Sequence, residues 1–138
     1  MPFSRNVQHD ISRFQTAVLN NQFPHKPRLL SPKSMSDQLS RLVEEVDEVR
    51  SAVHDDKLTD LNKMIDITDG LIDLMYFAAG WLHQMGIPFN NAWEIVHKAN
   101  MQKVAGRTNR DQDNDAAKPA GWVDPKLELA RMIAELHK

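Results

Sequence analysis

The residues of this chain best able to do chemistry are carboxylates in two blocks. The first is Glu44-Glu45-Val46-Asp47-Glu48, and the second is Asp66, Asp69 and Asp73. At about 100° per helical residue, Glu44, Glu45 and Glu48 fall within an arc of about 100°, and the three aspartates within about 60°. Acids opposite an apolar stripe usually form a solvated face. Here, however, no Lys or Arg stands four residues beyond Glu44, Glu45 or Asp47 to neutralise them. Asp73 is the sharper clue, set in Leu71-Ile72-Asp73-Leu74-Met75. An ionised aspartate among such neighbours is costly unless it is ion-paired or bound to a metal. From Glu44 to Asp73 there are ten acidic residues and only three basic ones, Arg50, Lys57 and Lys63. A divalent cation is therefore the better counter-ion, and oxygen-only ligands suit Mg²⁺ or Mn²⁺ rather than zinc or copper. Two antiparallel helices facing each other would gather Glu44, Glu45, Glu48, Asp69 and Asp73 around one or more ions. A merely acidic surface stays open as the alternative.

The basic residues lie further along. From His97 to Lys118, five Lys/Arg stand against three Asp. His97, Asn100 and Lys103 recur at i, i+3 and i+6 beside the apolar Trp93, Val96 and Val104, which predicts one helical face. Asn100 and Lys103 are donors for phosphate oxygens, and Arg107, Arg110 and Lys118 follow in a stretch able to fold over an anion. Isolated polar residues at a helix end are more often ordinary surface. Trp122 reads as a hydrophobic anchor for the last helix. Glu94-Ile95-Val96-His97 has half of a di-iron pattern, but no second Glu-x-x-His occurs. Nucleophile-elbow and P-loop signatures are also missing from the sequence.

The elements that must position these groups read as all-α. The chain of 138 residues, 41% hydrophobic and 26% charged, has the length of one domain. It has no cysteine, which excludes disulfides, Cys-ligated metals and thiol nucleophiles. A first helix is expected over about 6–20. A proline strap follows over 21–34, with Pro24, Pro27 and Pro32. Ser36 is expected to cap a helix running to about His54, with Leu39, Leu42, Val43, Val46, Val49 and Val53 on one stripe. A third helix over about 58–84 is apolar nearly all round from Met64 to Leu82 and belongs at the centre of a bundle. A fourth is expected over about 90–104, then a mobile loop to Val123, then a fifth opened by Asp124 and Pro125. The expected organisation is one domain over 1–138, with an N-terminal helix and strap (1–35), a metal-binding helical core (36–104) and a basic loop with C-terminal helix (105–138).

Composition narrows the partners. A net charge of −2 and a pI of 6.3 argue against a stable nucleic-acid complex. The longest apolar run, Leu74–Leu82, is too short to span a membrane. Met-Pro-Phe-Ser-Arg at the start has no apolar signal core, so a cytoplasmic location is expected.

Together, Glu44–Glu48, the stretch Asp69-Gly70-Leu71-Ile72-Asp73-Leu74-Met75-Tyr76, His97–Lys103 and Lys118-Pro119-Ala120-Gly121-Trp122 resemble the MazG-like all-α NTP pyrophosphohydrolases. That superfamily includes dimeric dUTPases and phosphoribosyl-ATP pyrophosphohydrolase. The resemblance covers roughly residues 36–125. It is nearest to the compact branch common in phages, including the (d)GTP-specific MazZ-like group, for which the location would be the host cytoplasm. It implies a four-helix-bundle-like core of about five helices per chain, assembled as a homodimer or homotetramer. It also implies Mg²⁺ or Mn²⁺ on Glu45, Glu48 and Asp73, with Glu44 beside the attacking water, and phosphate contacts from Asn100, Lys103 and Lys118. Many members carry Glu three residues before the aspartate matching Asp73. Gly70 stands there in this chain, and Asp69 is the expected substitute. The implied reaction cleaves a (d)NTP to the monophosphate and pyrophosphate, with guanine nucleotides first. The alternatives are dUTP, dCTP or phosphoribosyl-ATP as substrate, or a non-catalytic helical interaction module.

Overall fold

Proline and serine set the start of the longest helix but one. Ser31 accepts the Ser34 backbone N–H at 3.1 Å, and Pro32 supplies a ready-made helical φ where no N–H is needed. Helix α2 therefore spans Pro32–His54, opening about one turn before the expected Ser36. The computed structural model describes residues 6–138. Residues 1–5, on which the expectation of no signal core rests, lie outside the described residues.

Ahead of α2, α1 spans Val7–Arg13, capped by the Asn6 side chain, and widens into a π-helical turn over Phe14–Val18. The wider turn delivers Gln15 to the interior, where it is buried and accepts from Asn21 Nδ2 at 3.1 Å and Gln84 Nε2 at 3.3 Å. A Cβ on Gly80 would lie 2.5 Å from Gln15 Nε2, so only glycine admits the amide there. Helix α3 spans Asp60–Met85. Thr59 caps it at the start, and Gly86 stops it at φ 76°, a left-handed conformation that costs glycine little. The proline strap is tied back to its end by Arg28 N–H donating to the Met85 carbonyl at 2.9 Å.

Helices α2 and α3 run antiparallel. Lys63 Nζ donates to the Val53 carbonyl at 3.2 Å at one end, and Gly70 meets Val49 and Glu45 at mid-length. The face of α2 turned to α3 carries Gln38, Glu45 and Ala52, all buried, with Leu42 and Val49 half-buried. The stripe of Leu39, Val43, Val46 and Val53 is exposed instead, about a quarter-turn away. On α3, Leu61, Met64, Ile65, Leu71, Ile72 and Met75 make a second exposed apolar face at helical spacing. The expectation that α3 is enclosed is not met within a single chain.

These elements, up to Ile87, form one compact unit, and Pro88–Lys138 form another. In the second unit, α4 spans Phe89–Asn100 and α5 spans Lys126–Leu136, with the Asp124 side chain accepting the Lys126 N–H at 2.9 Å. Between them, β1 (Val104–Ala105) pairs antiparallel with β2 (Ala116–Ala117). The expected mobile loop is thus a hairpin whose strands are too short to show alternation in sequence. Otherwise the protein is all-α, as expected. Among the described residues no helix is long and apolar enough to cross a membrane.

The α2–α3 crossing generates a prediction. A Cβ on Gly70 would lie 2.6 Å from Val49 Cγ2, and a β-branched side chain in a helix has one strongly preferred rotamer. Gly70→Ala is expected to destabilise the fold by about 1–3 kcal/mol, seen as a lower denaturation midpoint. Adding Val49→Ala should return part of that loss. Equal stability of Gly70→Ala and the parent would refute the close crossing.

Candidate active site

The crossing that admits Gly70 also buries a carboxylate. Glu45 is only 9% exposed, and its Oε2 has no hydrogen-bond partner. Burial, then the neighbouring Glu48, then Asp73 and Asp69, push its carboxyl above the ordinary glutamate range. The two acidic blocks therefore converge, and Glu45 is their centre. The sequence placed the most enclosed acid at Asp73. The structure leaves Asp73 half-buried and encloses Glu45, because α2 turns its acid-bearing side, not its valine stripe, toward α3.

Two of the three nearby cations are employed elsewhere. Arg50 pairs with Asp47 at 2.5 Å, and Lys63 serves the Val53 carbonyl. Among the described residues, none of Glu44, Glu45, Glu48, Asp66, Asp69 or Asp73 has a lysine or arginine within ion-pair reach.

Beside this centre lies an open cleft of about 570 Å³. Glu44, Glu48 and Asp69 line it, together with Asp47, Asp55 and Asp66. Asp55 was not singled out from the sequence; it sits in the turn after α2, where helical spacing gives no signal. Among the described residues, no three His, Asp or Glu side chains stand close enough to hold a metal as they are. The donor set nevertheless fits a hard divalent ion. It is all carboxylate, without compensating cations, and includes one buried oxygen that has no partner.

The second unit holds the basic residues. Helix α4 ends at Asn100, and two i→i+3 bonds, Gln102 N–H to Ala99 and Lys103 N–H to Asn100, turn the chain into β1. The single helical face expected for His97, Asn100 and Lys103 therefore breaks before Lys103. Asn100 is exposed at the helix end. Lys103 and Lys118 line one cleft of about 550 Å³ with Arg107, Thr108, Asn109 and Arg110. The arginines are committed. Arg107 pairs with Asp111 and Asp113, and Arg110 grips Asp115 through two nitrogens. Arg110, Thr108 Oγ1 and the Ala116 N–H together lower the Asp115 carboxyl to about 2. The two lysines rest on Trp122, whose ring centroid is 5.3 Å from Lys103 Nζ and 4.9 Å from Lys118 Nζ.

Compared with known families, residues 12–100 match the one described as phosphoribosyl-ATP pyrophosphohydrolase. The match spans more than half of the chain, so the chain belongs to that family. It is accordingly a nucleotide pyrophosphohydrolase, a hydrolase of phosphoric anhydride bonds. Both acidic blocks lie inside the match, whereas Lys103 and Lys118 lie beyond it. No curated protein matches the chain significantly.

The Asp115 contacts predict how the hairpin responds to acid. Its folded-state pKa is depressed, so its stabilising contribution is complete above the ordinary aspartate value of about 4 and is lost as pH falls toward about 2. Amide protection at Gly106 and Ala116 is expected to fall over that window, measured by hydrogen exchange. Asp115→Asn should show low protection already at neutral pH. A pH-independent hairpin would contradict the role given to this carboxylate.

Proposed function

From membership of the phosphoribosyl-ATP pyrophosphohydrolase family as premise, we propose that the protein hydrolyses nucleoside triphosphates between the α- and β-phosphates. The products are a monophosphate and pyrophosphate. The observation that carries this reading is the buried, partnerless carboxylate oxygen of Glu45 among Glu48, Asp69 and Asp73, an arrangement that calls for a divalent cation.

Glu45, Glu48, Asp69 and Asp73, with Glu44 beside them, would hold Mg²⁺ or Mn²⁺. Such an ion supplies charge neutralisation of the triphosphate and a lowered pKa for attacking water. Glu44 is exposed in the cleft and is the general base, taking the proton of the water that attacks the α-phosphorus. The bond from that phosphorus to the bridging oxygen breaks, and the pyrophosphate leaves. Asn100, Lys103 and Lys118 bind phosphate oxygens, the lysines as point charges and Asn100 as a hydrogen-bond donor. Guanine nucleotides, dGTP and GTP, are the first candidates, on the resemblance of the compact chain to the phage branch. Phosphoribosyl-ATP is the second, favoured by the family match itself.

The active form is a homo-oligomer. The large apolar residues exposed on α2 and α3 form a face that a second copy would cover. The core of one chain counts only Ile11, Leu30, Ala52, Ala79 and Ile87 as buried hydrophobics among the described residues.

Three experiments test this. The common NTPs and dNTPs, with phosphoribosyl-ATP added, are incubated with Mg²⁺ or Mn²⁺ and the products resolved by chromatography. Monophosphate plus pyrophosphate is expected, with dGTP or GTP turned over fastest. Release of orthophosphate, or no turnover of any member of the panel, would overturn the proposal. Asp73→Asn is expected to lower turnover by more than about a hundredfold, since losing even an outer-layer partner of a metal costs about 10–100-fold. Without metal the same variant should melt above the parent, because one repelling charge near Glu45 is gone. Undiminished activity would remove Asp73 from the site. Light scattering of both proteins should give a dimer or tetramer, and a monomer would remove the second copy.

A further inference from the structure

The hairpin unit distributes its four cations unequally. Arg107 and Arg110 are neutralised by Asp111, Asp113 and Asp115 and hold the turn between β1 and β2 in shape. Lys103 and Lys118 have no carboxylate in ion-pair reach among the described residues. Both ammonium groups lie about 5 Å from the centroid of the same indole, so they are no more than about 10 Å apart. The ring quadrupole attracts both ammonium groups without neutralising either charge.

The indole is itself fixed. Trp122 Nε1–H donates to the Ala99 carbonyl at 2.7 Å, in the last turn of α4, and the ring is half-buried. One lysine follows that helix directly and the other follows β2. The tryptophan ring is in contact with both, and the lysines share the cleft of about 550 Å³.

We propose that Trp122 is a positioning residue that holds the two lysines already assigned to phosphate, Lys103 and Lys118, as a two-pronged clamp, acting through the two ammonium groups and not by touching the ligand. The inference rests on the triphosphate reading above and adds to it the residue that sets the geometry of the clamp. Asn100 and the arginines are not part of the clamp. Arg107 and Arg110 shape its wall.

The test titrates the full-length protein with inorganic pyrophosphate in Mg²⁺ buffer by calorimetry, alongside nucleotide turnover. Two exposed cation–π contacts correspond to about a tenfold effect. Trp122→Leu is expected to weaken pyrophosphate binding and raise KM about tenfold, with kcat within about twofold. Trp122→Phe keeps a ring under the lysines while losing the N–H bond to Ala99, and should stay within about threefold of the parent. This second variant keeps the test decisive should Trp122→Leu fail to fold. In a Lys103→Ala/Lys118→Ala background, Trp122→Leu should cost nothing further. A Phe variant as impaired as the Leu variant, or a tenfold loss that persists without the lysines, would overturn the positioning role. If the parent turns over nucleotide and binds pyrophosphate but Trp122→Leu changes neither, this inference falls and the proposed reaction stands. If the parent does neither, the reaction falls and takes the clamp with it.

Discussion

The structure depends on the cost of keeping one carboxylate out of water. Glu45 sits where α2 and α3 cross, with an oxygen that nothing among the described residues satisfies and three acids close by. Folding alone gains nothing from this arrangement, since desolvation and like-charge repulsion both oppose it. The helix pair tolerates it because its other contacts are tight. Glycine lets the backbones meet at position 70, caps at Ser31 and Thr59 set the starts, and Lys63 closes the end of α2. Arg50 and Lys63 are held where they cannot relieve the acids. A fold that stores an unneutralised charge in its interior gives a cation a large difference in free energy between bound and free protein.

The helices themselves were legible because their signals are local. Ser/Thr caps, Pro at a first turn, Gly after a last turn and the spacing of valines and leucines all act over a few residues. The acidic blocks were legible for the same reason, since charges at i, i+3 and i+4 report a shared face before any fold is known. What the spacing could not tell is which side of α2 meets α3. A stripe of Leu39, Val43, Val46 and Val53 looks like the inward face, yet within one chain it is the outward one. Apolar periodicity marks a surface that must be covered, without saying whether the cover comes from the same chain or from another copy. The π-helical turn and the two-residue strands were illegible on other grounds. The turn is imposed by where Gln15 must go, and paired strands of two residues are too short for period-two alternation to be seen.

The hairpin shows a related division of labour among residues of one charge. Sequence alone treats Lys103, Arg107, Arg110 and Lys118 as one basic stretch. In the fold, each arginine is matched to aspartates by its planar fork, which binds carboxylates through two nitrogens at once. The lysines, point charges on flexible stems, are left to the face of Trp122. A guanidinium bound to carboxylate has its charge neutralised locally. An ammonium resting on an aromatic ring keeps its charge available to a ligand. The difference between the two cations, invisible in a charge count, decides which of them remain able to meet phosphate.

The resemblance leads one to expect glutamate three residues before Asp73, but Gly70 stands there and faces Val49 across a helix crossing with no room for a Cβ. A glutamate at 70 would have to force α2 and α3 apart, and the separation would expose Glu45, the group the crossing encloses. Asp69, the residue before Gly70, is exposed in the cleft and stands four residues from Asp73 on the same face of α3. That placement keeps two aspartates against Glu45 without requiring space at the crossing, and both are near enough to raise its carboxyl. Close packing at Gly70 and an acid at Asp69 are thus compatible, since short side chains let the backbones approach where a longer one would need a wider crossing.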